Sequence, residues 1–247
     1  TPWSTSEGGK MRLAALSESD QTITAILEIV PTPGWKTYWR DPGDAGMPPD
    51  INLSDSSNLE LLSVSFPPPE IGHDEGGRFV GYHGPISLVL KMARQDPGQP
   101  SELNAAVLLG LCKDICLPFQ ASFSLPLGDA SQPEADEFMK IQMARANLPE
   151  PQSPVFRVSD AGLSANRKTF EATITSPGEA MPEFAIAPSR GVLLDGTPDI
   201  VRSQGKTHIR YAVRRLPQLL DGASVTLLVK VGERAIETTL AIDGSSR

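Results

Sequence analysis

The sequence predicts an all-β protein: two immunoglobulin-like antiparallel β-sandwich domains joined by a short helix-containing linker. Three observations carry this. Apolar residues recur at every second position in short runs, the signature of strands with one buried face. Turn clusters separate those runs, and the 23 prolines and 21 glycines are dispersed among them without repeating. A single stretch carries a helix-start signal.

The first strand series reads Met11–Leu16, Thr22–Val30, Leu59–Phe66, Ile86–Met92, Leu103–Leu111 and Ala121–Leu125. Ile23, Ala25, Leu27 and Ile29 alternate cleanly, as do Ile86, Leu88, Leu90 and Met92. Pro31-Thr32-Pro33-Gly34 and Asp96-Pro97-Gly98 are turn chemistry, and Asp41-Pro42-Gly43-Asp44 is expected to turn as well. Next, Ser131-Gln132-Pro133-Glu134 has the form of a capping box, with Ser131 as N-cap. It opens a helix over 134–145 that carries Phe138, Met139, Ile141 and Met143. Asn147 to Pro154, with three prolines, has linker composition. A second series then follows: Val155–Val158, Thr169–Ile174, Glu183–Ala187, Ile209–Val213, Val225–Val231 and Ala235–Ile242. The expected domains are residues 1–128, a helical connector over 129–151, and a cysteine-free second sandwich over 152–247.

Composition narrows the function. The net charge of −8 argues against nucleic acid and anionic membrane surfaces as partners. No run approaches the roughly 18 apolar residues needed to span a bilayer. There is no G-x-S-x-G elbow, no phosphate-cradling glycine loop and no acid pair in a glycosidase setting.

The two cysteines, Cys112 and Cys116, are the chain's only ones, spaced C-x3-C at the end of the apolar run Ala105–Leu111. Three readings stand side by side. A zinc site needs about four ligands, yet His73, His83 and His208 have no metal-ligand spacing to the cysteines or to each other. No metal is therefore expected, although cuprous ion needs fewer ligands and favours thiolate. A structural disulfide is a second reading, but a ring of about five residues removes only roughly 2 kcal/mol of unfolded-chain entropy. The third reading is a redox pair: a thiolate attacker, a resolving thiol close in sequence, and loop access for a partner's sulfur. That reading needs no cofactor. Lys113 would favour a thiolate and Asp114 oppose it.

Two other stretches gather aromatic residues. Trp35, Tyr38 and Trp39 fall within five positions, either as an ordinary core strand or as an aromatic wall beside the thiols. His73 to Pro85, glycine-rich and bearing Phe79 and Tyr82, is either a hairpin loop with incidental aromatics or a lid over the cysteine pair.

Taken in order, Gly34-Trp35-x-x-Tyr38-Trp39-x-x-Pro42-Gly43-x-x-Gly46-x-Pro48, then Phe79-x-Gly81-Tyr82, then Cys112-Lys113-Asp114-x-Cys116-x-Pro118 resembles the N-terminal periplasmic domain of the DsbD family of thiol:disulfide interchange proteins. The resemblance covers about residues 10–127. It leans toward the ScsB-like branch, associated with copper tolerance, because the second sandwich is absent from the best-known DsbD module. That module also has a longer spacer between its cysteines. The resemblance implies a protein-disulfide reductase module in the periplasm. Electrons would arrive from a thioredoxin-like domain of the same or a partner membrane reductase and leave to periplasmic thioredoxin-fold clients. A membrane domain would follow Arg247. By position in the pattern, Cys116 would form mixed disulfides with partners, Cys112 would resolve them, and Phe79 and Tyr82 would cap the pair.

Overall fold

The computed structural model describes residues 1–74, 76–128, 135–218 and 221–242. In chain order the strands of the first half are β1 (Ser4–Ser6), β2 (Gly9–Ser17), β3 (Thr22–Pro31), β4 (Thr37–Gly43), β5 (Asp50–Asn52), β6 (Leu59–Ser65), β7 (Glu70–Asp74), β8 (Gly77–Tyr82), β9 (Ile86–Arg94), β10 (Ser101–Cys112) and β11 (Cys116–Leu127). Helix α1 (Ala135–Ala146) follows. The second half contributes β12 (Arg157–Leu163), β13 (Thr169–Thr175), β14 (Glu183–Pro188), β15 (Leu193–Leu194), β16 (Asp199–Ser203), β17 (Lys206–Arg215), β18 (Ser224–Val231) and β19 (Arg234–Ala241). All strand pairings described are antiparallel. The chain divides into two compact units: Thr1–Glu70 with Phe79–Leu148, and Ile71–Arg78 with Pro149–Arg247.

The first unit is built on a five-stranded sheet, β1-β2-β3-β9-β6, and a three-stranded sheet, β11-β10-β5. Period-2 patterning places Met11, Leu13, Ile23, Ala25, Leu27, Ile29, Leu88, Leu90 and Met92 in the core, all fully buried. Leu103, Ala105, Val107, Leu109 and Leu111 of β10 are buried at the same alternation.

The outer face of the large sheet is covered too. Ala14, Leu16, Ile26 and Val89 pack with Ile141 and Ala144 of α1, and Leu148 joins them. This is why β3 is buried on both faces where an open sandwich strand would alternate. The helix is thus held against the large sheet. Arg145 pairs with Glu18 and also donates to the Thr24 hydroxyl at 2.6 Å, fixing its last turn. Phe138, Met139 and Met143 face outward. The capping box at Ser131 and Glu134 lies outside the described residues.

A third, short sheet, β4-β8-β7, differs from the sequence reading. Residues 73–85 were expected as a glycine-rich loop, yet most of them form strands, with β8 paired to β4. Likewise Asp41-Pro42-Gly43 continues β4, and a register shift between Tyr38 and Gly43 absorbs the irregularity. Pro42 is tolerated because β4 lies at the edge of that sheet.

The second unit pairs the sheet β12-β13-β17-β15, with β16 also on β17, and the sheet β14-β18-β19. Phe170, Ile174, Ile209 and Tyr211 from one sheet meet Phe184, Ile186, Val225, Leu227, Val229 and Ile236 from the other, with Phe156 among them. The arrangement is that of an immunoglobulin-like sandwich. The short strands β15 and β16 were not legible as period-2 runs.

Candidate functional site: a disulfide at the tip of a hairpin

Strands β10 and β11 form one long hairpin, in register from Ser101↔Leu127 to Cys112↔Cys116. Its tip is Lys113-Asp114-Ile115, where the Lys113 N–H donates to the Ile115 carbonyl at 3.1 Å. Cys112 and Cys116 face each other across the ladder with Cα atoms 4.0 Å apart and are joined as a disulfide.

The two cysteines sit in different surroundings. Cys112 is 2% exposed. On its far side, away from β11, its N–H donates to the Lys36 carbonyl and the Lys36 N–H donates to its carbonyl, each at 2.9 Å. One residue on, the buried Thr37 hydroxyl donates to the Gly110 carbonyl at 3.0 Å. The backbone on both sides of Cys112 is thereby fixed. Cys116 is exposed, as are Lys113, Asp114 and Ile115, the last at 66%.

Aromatic groups close over the buried side. Tyr38, Phe79 and Cys112 form one buried cluster. The Tyr38 hydroxyl lies 3.7 Å from Cys116 Sγ. A disulfide sulfur carries no proton, so the hydroxyl is the donor. Tyr38 and Phe79 meet edge to face, ring centroids 5.8 Å apart and planes at 69°. Lys36 Nζ stands 4.9 Å from the Phe79 centroid, and the His83 ring centroid lies 5.0 Å from it. The His83 Nδ1–H donates to Glu70 Oε2 at 2.8 Å.

Two glycines make room for these rings. A Cβ on Gly81 would stand 2.2 Å from the Thr37 carbonyl oxygen and 2.9 Å from the Phe79 ring. A Cβ on Gly46 would stand 2.4 Å from the Tyr38 ring, and the residue's φ of +122° is itself unsuited to a side chain.

The residues singled out from sequence therefore divide. Phe79 and Tyr38 gather at the disulfide with both cysteines. Tyr82, 4% exposed, is three positions beyond Phe79 on β8, and its hydroxyl donates to the Pro67 carbonyl at 2.8 Å. Trp39 is fully buried beside Arg40. Trp35, 8% exposed, lies with Leu111 against Gly8. Lys36 and Thr37 were missed. Composition does not mark them: Lys36 immediately precedes β4 and Thr37 opens it, and both act by facing the flank of β10 that β11 leaves open. Among the described residues no three of His, Cys, Asp and Glu come together as a metal site.

This arrangement joins one exposed and one buried cysteine at the end of a paired ladder, and a disulfide opens by thiolate attack on one of its two sulfurs.

Residues 10–128 match the family described as thiol:disulfide interchange protein DsbD, N-terminal. The structure of the N-terminal periplasmic domain of ScsB from Proteus mirabilis superposes with a TM-score of 0.72, at 20% identity, over 97% of this chain and 96% of that one. At that identity it shows the fold, both sandwiches included. Two marsupial T cell receptor chains, at 7% and 8% identity, cover 96% and 95% of this chain and 98% and 62% of their own, with TM-scores of 0.24 and 0.25, too low to bear on the fold. No curated protein matches the sequence. The stretch 10–128, which holds both cysteines, matches the DsbD N-terminal domain family of thiol:disulfide interchange proteins.

Proposed function

We propose that the first unit is a periplasmic protein-disulfide reductase module in which Cys116 exchanges with partners and Cys112 resolves. The observation that carries this reading is the asymmetry of the pair: Cys112 is 2% exposed and pinned to Lys36 on its open flank, while Cys116 is exposed at the hairpin tip. Electrons enter when a thiolate of a thioredoxin-like domain attacks Cys116 Sγ. The S–S bond breaks, Cys112 leaves as thiolate and is protonated, and the donor's second thiol then frees Cys116. In the outward step the Cys116 thiolate attacks a client disulfide. The Cys112 thiolate then attacks Cys116 Sγ, restoring the Cys112–Cys116 bond and releasing the reduced client. Atoms and electrons balance without a cofactor.

The thioredoxin-like donor belongs to the same or a partner membrane reductase, anchored by a domain following Arg247, and the clients are periplasmic thioredoxin-fold proteins. Phe79, with Tyr38, screens the sheltered side of the pair. Tyr82 supports that cover by anchoring β8 to Pro67. The second unit serves as a spacer or client-binding body.

Two measurements test this. With a thioredoxin-fold disulfide protein, Cys112→Ser is expected to accumulate a mixed disulfide through Cys116, whereas Cys116→Ser gives none; trapping through Cys112 instead would reverse the assignment. The reduction potential of the wild-type pair is expected above about −300 mV. A lower value together with absent exchange marks a structural bridge.

A further inference from the structure

We propose that the open edge of β11, beginning at Cys116, is a docking rail onto which an extended segment of the partner polypeptide adds as a further strand while its sulfur reacts with Cys116. This inference rests on the exchange function proposed above and specifies how the partner is held.

The direction of each backbone group on β11 follows from its neighbour. The N–H and C=O of Cys112 are both spent on Lys36. In an antiparallel ladder, the residue opposite such a position also turns its N–H and C=O outward, so those of Cys116 face away from β10. The phase holds along the hairpin. Gly110 donates to the Met47 carbonyl at 3.1 Å, and Glu102 exchanges both backbone bonds with Ser57. Their partners across the ladder are Pro118 and Pro126. A proline has no N–H to offer, and here none is needed by the ladder, which is where edge strands carry proline. The even-numbered residues Cys116, Pro118, Gln120, Ser122 and Ser124 therefore line a free edge. β11 is the terminal strand of its sheet, and among the described residues no backbone group pairs with that edge.

Two further observations point to an occupant. Exposed edges are ordinarily guarded by charge, yet Cys116–Leu127 contains no charged residue and has only its two prolines as guards. The far end already has a neighbour, since Leu125 to Gly128 line a cleft together with Ala14, Ala15 and Ser17 of β2. The open portion is thus the half contiguous with the accessible sulfur. A segment laid there accepts N–H bonds from Gln120 and Ser122 and donates to the carbonyls of Pro118 and Gln120. It is held by main chain alone, which suits a module serving more than one client.

The experiment uses the full chain, reduced at both cysteines, and a seven-residue Thr/Val peptide whose central cysteine is capped by 2-nitro-5-thiobenzoate. Attack by the Cys116 thiolate forms the Cys116–peptide disulfide and releases the coloured thiolate. The same peptide N-methylated at alternate residues lacks the donors that face the edge, and capped glutathione is a short reference. One hydrogen bond corresponds to about a threefold to tenfold rate difference. The N-methylated peptide, which loses both such donors, is therefore expected to react about ten to a hundred times more slowly than its parent. Gln120→Pro, which repeats at one more outward position the proline already present twice and removes one donor, is expected to lower the peptide-to-glutathione rate ratio about three- to tenfold, while Gln120→Ala keeps it. Equal rates for both peptides, or an unchanged ratio in Gln120→Pro, overturn the rail while leaving exchange at Cys116 intact. A concentration-dependent dimer of the wild-type chain, lost in Gln120→Pro, overturns it in favour of a second copy on the edge. If no coloured thiolate is released from any probe, the exchange function itself fails, and the rail with it.

Discussion

If Phe79 covers the disulfide, removing its ring must make the pair easier to reduce, and the structure sets the size of that gain. When a small thiol attacks Cys116, the Cys112 sulfur has to part from it, and the ring packed on Cys112 must then give up its edge-to-face contact with Tyr38, 5.8 Å between centroids, and the Lys36 ammonium 4.9 Å from its face. Such an aromatic pair is worth about 0.5–1.5 kcal/mol and such a cation contact about 0.5–1 kcal/mol. If opening costs their sum, about 1–2.5 kcal/mol, then Phe79→Ala accelerates reduction by roughly five- to seventyfold, with about twentyfold as the central expectation. The assay is the pseudo-first-order rate of disulfide reduction by excess dithiothreitol, followed by the mass increase of the alkylated protein. The same variant should lose about 2–3 kcal/mol of stability, less than a deep-core Phe→Ala change, because water can enter the gap. Circular dichroism must therefore show the native fold at the assay temperature. A reduction rate within twofold of wild type in folded Phe79→Ala refutes the reasoning, because the ring would then stand beside the pair without covering it.

Other outcomes follow from the same geometry. Gly81→Ala places a methyl group 2.2 Å from the Thr37 carbonyl, a backbone atom that cannot step aside; it should cost about 3 kcal/mol in a denaturant melt. Thr37→Val leaves the buried Gly110 carbonyl without its 3.0 Å donor, and a loss of about 1–2 kcal/mol is expected. Ile141→Ala empties the fully buried anchor of α1 on the outer sheet face; stability should fall by about 2–5 kcal/mol, with the helix amides losing hydrogen-exchange protection before those of β3. In contrast, Met143→Ala on the outward helix face should leave both readouts within about 0.5 kcal/mol of wild type.

What was legible in the sequence was whatever period-2 patterning encodes on its own. Ile23 to Ile29 and Leu103 to Leu111 each announced a half-buried strand, and two thiols after such a run announced a loop. The rest depended on partners distant in sequence. Thr24 and Ile26 read as an outer face, but α1, more than a hundred residues later, covers them. The aromatic stretch 35–39 could not be phased by composition. Once Lys36 bridges Cys112, the chain sends Tyr38 toward Cys116, while Trp39 is buried beside Arg40. The glycines of 76–84 suggested a loose loop, but Gly81 is there so that a strand can lie against the Thr37 carbonyl with the Phe79 ring folded over it. Glycine content marked a close approach, not mobility.

The position of α1 separates two boundaries that look alike. The stretch recognised by sequence kinship stops at residue 128, whereas the first folded unit runs on to Leu148. A fragment cut at the earlier point keeps both cysteines, the hairpin and every strand of the first unit, yet bares Ala14, Ile26 and Val89 as a sticky patch on an otherwise finished sheet. Such a fragment should self-associate at concentrations where one ending after Leu148 stays monodisperse by light scattering. Redox activity and good behaviour in solution would thus require different lengths of chain: the kinship boundary contains the sulfur chemistry, and twenty residues beyond it keep that chemistry from being lost to precipitation.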